Sequence, residues 1–179
     1  ESTVGKIIYR RSDGNYYSCT ATLIEREHIL TNAHCVFDPT AVDGQDSGPG
    51  IISDAWKKSF RFYPYYRNGK APDSSEWRSV VVSKTYAEGK RHYTGQDWAV
   101  IRLEKAFGDV FGWMNLLDRK YDDYQKEDQK VNLVGYSGDR YEKTPGAHYN
   151  CALHGVVRYF FGKRLTHECD STKGSSGPA

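Results

Sequence analysis

Apolar and polar residues alternate in short runs along most of this chain. In Thr20-Ala21-Thr22-Leu23-Ile24 one side of the pattern is smaller and more polar than the other, the period of a strand with unlike faces. Runs rich in Tyr, Val, Ile, Thr and Phe, separated by Gly, Asp, Asn and Pro, predict strands over 6–10, 16–24, 28–32, 59–63, 78–85, 97–103, 130–136 and 153–161. Sustained helical periodicity is missing; one short helical turn is expected over 33–36. Residues 118–129 are charged nearly throughout and fit a helix or a solvated loop equally well. Residues 38–55, with "DPTAVDGQDSGPG", read as a long surface loop. Its Asp38, Asp43 and Asp46 do not have the spacing of a helix–loop–helix calcium site, so it is taken as a plain solvated loop and no metal is expected. Many short strands with turn signals between them predict an all-β fold, a sandwich or barrels.

A chain of 179 residues suits one compact domain or two small lobes. The formal net charge of +2, from 25 basic and 23 acidic residues, argues against a nucleic-acid binder, which would carry a basic stripe. No run approaches the length of apolar residues that spans a membrane. No signal peptide opens at Glu1, so the chain is either cytosolic or has lost a leader. Cys19, Cys35, Cys151 and Cys169 are even in number, widely spaced and free of CxxC pairs. Two disulfides in a secreted, extracellular or periplasmic protein is the reading taken over four buried thiols.

Three stretches carry the chemistry: "TNAHCV" with His34, "DWAVIRL" with Asp97, and "GSSGP" with Ser175 and Ser176. Taken singly, each has a plain structural explanation: a histidine packed by a disulfide, a turn aspartate, a Gly/Ser turn. Together they are the parts of acyl transfer. A serine hydroxyl needs an imidazole to take its proton during attack and return it to the leaving amine. A buried carboxylate fixes the imidazole tautomer. Backbone N–H groups must face the oxygen that gains charge, and glycines let the backbone approach.

These segments resemble chymotrypsin-fold, trypsin-like serine peptidases. "CTATLIEREHILTNAHCV" is similar to the family's Cys-bearing strand and "TAAHC" turn, and "DWAVIRL" to its aspartate strand. "LVGYSGD" and "CDSTKGSSG" resemble the "GYPGD" turn and the nucleophile loop of the glutamyl-endopeptidase-like subgroup. The resemblance implies two six-stranded antiparallel β-barrels with the active site between them, the first over 1–105 with His34 and Asp97, the second, incomplete in this chain, over 106–179 with Ser176. It implies that His34 is the general base, Asp97 its orienting acid and Ser176 the nucleophile, since Ser176, unlike Ser175, directly precedes a glycine and follows Gly174 by two. It further implies an oxyanion hole from the N–H groups of Gly174 and Ser176, disulfides Cys19–Cys35 and Cys151–Cys169, and protein or peptide substrates with no cofactor.

The sequence departs from the pattern in places. Pro178 follows Gly177 directly, and Asn32 replaces a small residue, an exchange read as harmless. Ser175 stands where the trypsin branch keeps an activating aspartate. Asp170 and Ser171 fall where the specificity pocket is implied. In trypsin-like enzymes an acid in the register of Asp170 binds Arg or Lys, but the glutamyl-endopeptidase-like subgroup carries an aspartate there without that preference, so a structural role is favoured for Asp170. Only Gly177, Pro178 and Ala179 follow Ser176, and too few strands follow Leu103 to close a second barrel; a separate or missing C-terminal segment is expected to complete it. The competing expectation is a catalytically inactive protease-like binding or scaffold protein on the same fold.

Overall fold

A computed structural model describes residues 2–37, 52–88, 95–117, 129–137, 144–159 and 162–170, with backbone alone at 156–159 and 162–165. The 118–128 portion of the ambiguous 118–129 stretch and most of the expected 38–55 loop, with Asp38, Asp43 and Asp46, lie outside the described residues.

Six strands form the first sheet in the order β4-β1-β2-β3-β6-β5. They are β1 (Val4–Arg10), β2 (Tyr16–Leu23), β3 (His28–Thr31), β4 (Arg61–Pro64), β5 (Trp77–Val82) and β6 (Ala99–Leu103). All neighbouring pairs are antiparallel. The two outer strands meet just ahead of β5, where Phe62 and Ser75 exchange backbone hydrogen bonds of 2.9 and 3.0 Å. That bridge curls the sheet into a barrel and leaves little unpaired edge. The alternation seen in the sequence becomes the inward face: Ile7, Leu23, Ile29, Ile101 and Leu103 are fully buried with Trp56, Phe60 and Phe62.

A second antiparallel sheet runs β7 (Lys130–Gly135), β8 (Gly146–Tyr159) and β9 (Gly162–His167). It packs on the outside of β1, where Val4 meets Val134 and Tyr136.

The elements differ from expectation where they are short or irregular. Residues 54 and 55, taken as loop, open helix α1 (Asp54–Ser59), capped by Ser53, whose Oγ accepts from the Trp56 N–H at 3.1 Å. The strand expected over 59–63 therefore starts at Arg61. The strand expected over 78–85 stops at Val82, because Ser83 caps a single turn, α2 (Lys84–Ala87). A further turn, α3 (Gly108–Phe111), and strand β9 were not expected. β8 begins at Gly146, seven residues before the expected 153, running through a register shift opposite Val131/Leu133. Asn150, at φ +58°, sits at that irregularity and interrupts the alternation a sequence pattern depends on. No helix among the described residues is long and apolar enough to cross a membrane.

Candidate active site

Strand pairing brings the histidine and aspartate together. β3 and β6 are in register from His28↔Arg102 to Thr31↔Ala99. His34 lies just beyond the end of β3, on a 3-10 turn (Ala33–Cys35), and Asp97 lies just before the start of β6. The same end of the barrel therefore presents both. His34 Nδ1 and Asp97 Oδ2 are 2.7 Å apart, and the His34 backbone N–H donates to Asp97 Oδ1 at 2.9 Å. One carboxylate oxygen thus faces the ring and the other the main chain, which fixes the ring with Nε2 directed away from Asp97.

Burial pushes the Asp97 carboxyl up, but the hydrogen bond and charge of His34, with the backbone N–H groups of His34 and Ala33, together outweigh it and hold the acid below the ordinary aspartate range. Asp97 is thereby an anion at neutral pH, suited to accept from a ring N–H and to stabilise an imidazolium.

Several supports escaped the sequence reading. Asn32, taken as a harmless replacement, donates from Nδ2 to the Asp97 carbonyl oxygen at 2.8 Å. Thr31 Oγ1 donates to the Thr20 carbonyl at 2.8 Å, and the Thr20 hydroxyl accepts from the Tyr136 N–H at 2.9 Å. Tyr136 thus docks on β2, the strand that pairs with the histidine strand. Trp56 Nε1 donates to the Cys35 carbonyl at 2.9 Å, pinning the turn from inside the barrel. Polar residues of this kind carry no period; only the Ser53 cap ahead of Trp56 was a visible signal.

The Cys19–Cys35 disulfide closes beside His34 with a Cα–Cα distance of 6.2 Å, and Cys151–Cys169 joins β8 to the segment after β9 at 5.2 Å. Cys19, His34 and Cys35 cluster closely enough to hold a metal ion, but both sulfurs are spent in the disulfide and His34 Nδ1 faces Asp97. A cleft of about 360 Å³ adjoins Asp97, lined by Leu30, Trp98, Met114, Leu116 and Leu117 among others.

The remaining expected site residues fall differently. Asp170 is described: its side chain is fully exposed, its N–H donates to His148 Nδ1 at 2.9 Å, and its carboxylate lies 3.6 Å from the same nitrogen. Ser171, Gly174, Ser175 and Ser176 lie outside the described residues.

The trypsin family model matches residues 3–158. The chain belongs to the trypsin family. Among solved structures it is similar to the protease Anisep from Arthrobacter nicotinovorans, at 18% identity over 99% of this chain and 75% of that one, with a TM-score of 0.67. It is also similar to a Glu endopeptidase, at 21% identity over 99% and 72% of the two chains, with a TM-score of 0.66. A third, a scabies mite inactivated protease paralogue, shares 14% identity over 97% of this chain and 76% of that chain, with a TM-score of 0.63. At these identities the likeness is one of fold. A search of curated proteins found no match.

Proposed function

We propose that this trypsin-family chain is a secreted serine endopeptidase that cuts peptide bonds through an acyl-enzyme. In this reading the barrel of residues 1–105 supplies base and acid, residues 106–179 supply the nucleophile, and the bond is cut between them. The observation that carries the proposal is the double hydrogen bond of Asp97 to the His34 ring and main chain. Anchored so, the imidazole keeps its proton on Nδ1 and offers Nε2 as a base.

The steps follow from that arrangement. Ser176 Oγ attacks the substrate carbonyl while His34 Nε2 takes its proton. The imidazolium formed is stabilised by Asp97. The N–H groups of Gly174 and Ser176 hold the oxyanion. His34 then gives the proton to the leaving amine, and water repeats the sequence to release the acid. The two disulfides support an extracellular setting.

The alternative, an inactive protease-like binder, is favoured by one observation: the fold is shared with a scabies mite protein described as an inactivated protease paralogue. Cleavage of an unbiased peptide library by the full chain separates the two. Ser176→Ala is expected to lower cleavage by roughly three orders of magnitude or more, while Ser175→Ala keeps substantial activity. A folded Ser176→Ala protein that cuts as well as the native chain would refute the assignment.

A further inference from the structure

The β1–β2 hairpin carries a guanidinium to the edge of the candidate site. Arg11 directly follows β1. Its guanidinium carbon lies 4.0 Å from the centroid of the Tyr17 ring and 5.8 Å from that of Tyr9. Nη2 lies 3.4 Å from the Tyr9 hydroxyl and 3.5 Å from the His34 carbonyl oxygen, long contacts for so strong a donor. Nε is buried without a partner, while the residue as a whole is half-buried. No carboxylate pairs with Arg11 among the described residues. The acid of its own hairpin, Asp13, instead accepts from the Tyr17 hydroxyl at 2.7 Å and the Asn15 N–H at 2.8 Å.

A guanidinium held over an aromatic ring has already given up much of its side-chain freedom, so it loses little more on binding an anion. Partial burial strengthens its attraction for a carboxylate relative to one in open water. Its contact with the His34 carbonyl puts it within about 10 Å of the imidazole, the span of about three residues of extended peptide.

We propose that Arg11 is a specificity-determining residue that receives a Glu or Asp side chain of the substrate within about three residues of the bond cut at His34. The inference rests on the peptidase reading for what lies at His34, but its test does not need catalysis. Fluorescein-labelled octapeptide pairs, identical except for Glu or Gln at one position in turn, are titrated onto the full chain carrying Ser176→Ala and onto the same chain with Arg11→Gln added. At one or two adjacent positions Glu is expected to bind about tenfold more tightly than Gln. That ratio falls to near one with Arg11→Gln and shrinks in about 1 M salt.

If Arg11→Gln does not fold, Arg11→Lys serves in its place: charge without the planar fork leaves a reduced preference above one. A ratio of one at every position in the protein that keeps Arg11, or a preference that survives Arg11→Gln, overturns the proposal. Cleavage by the chain with Ser176 intact is scored separately. A Glu preference in binding without any cleavage supports the Arg11 site and overturns the peptidase reading; cleavage with no acid preference does the reverse.

Discussion

Asp97 shows how a single residue couples fold to chemistry. Its carboxylate is held below the ordinary range by the hydrogen bonds that position His34, so it binds its proton less readily folded than unfolded. Its contribution to stability is therefore present above the unfolded value of about 3.9 and is lost as pH falls through the lower folded value. Asp97→Asn is expected to destabilise the chain at neutral pH, with the gap to the native protein closing below about pH 4. Chemical denaturation of both proteins between pH 3 and pH 7, on the order of one unit apart, measures it; a gap that stayed constant through that window would contradict the assigned partners. The same change is expected to lower cleavage at least about a thousandfold, because an amide can hold the ring in the wrong tautomer. His34 and Asp97 were legible because their flanks, "AHC" and "DWAVIRL", are local strings. Asn32 and Thr20 were not, because what they do depends on partners 65 and 116 positions away.

At the scale of elements, the barrel strands and the short turn over 33–36 were visible and the helices α1, α2 and α3 were not. A strand with one buried face writes its period into as few as five residues, as β6 does. Helices of four to six residues complete barely more than one turn, too few to show a 3.6-residue period against neighbouring strands. α1 nonetheless carries the largest side chain of the core. Trp56 is 1% exposed, packs 4.7 Å from the Phe60 ring and bonds the Cys35 carbonyl behind His34. Trp56→Ala is expected to cost about 3–5 kcal/mol, from lost packing and a cavity. Trp56→Phe keeps part of the packing but strands the carbonyl, so it should lower activity more than its stability loss explains. Denaturation midpoints read beside cleavage rates decide this, and equal activity in the Phe variant would show that the bond does not position the turn. Gly5 is a tighter constraint: a Cβ there would overlap the Phe62 ring and the Tyr63 carbonyl across the β1–β4 pair.

The whole molecule is a disulfide-tied barrel with a three-stranded sheet docked on its flank. The all-β class was readable from strand spacing, but the closure through Phe62 and Ser75 was not, since "APDSSEW" has no strand pattern. Both disulfides close loops with separations of 16 and 18 residues. Replacing Cys151 and Cys169 together with alanine is expected to cost about 3 kcal/mol, read as a lower denaturation midpoint for the second sheet; no change in that midpoint would show that the bridge does not brace the segment leading to Ser176. The account stands or falls on the union of His34, Asp97 and Ser176 in one folded chain. Labelling the full chain with a fluorophosphonate, then mapping the adduct by mass spectrometry, tests this most directly. The account predicts a single adduct on Ser176, lost in His34→Ala and Ser176→Ala and kept in Ser175→Ala. A folded chain that carries no adduct, or carries it on Ser175, contradicts it.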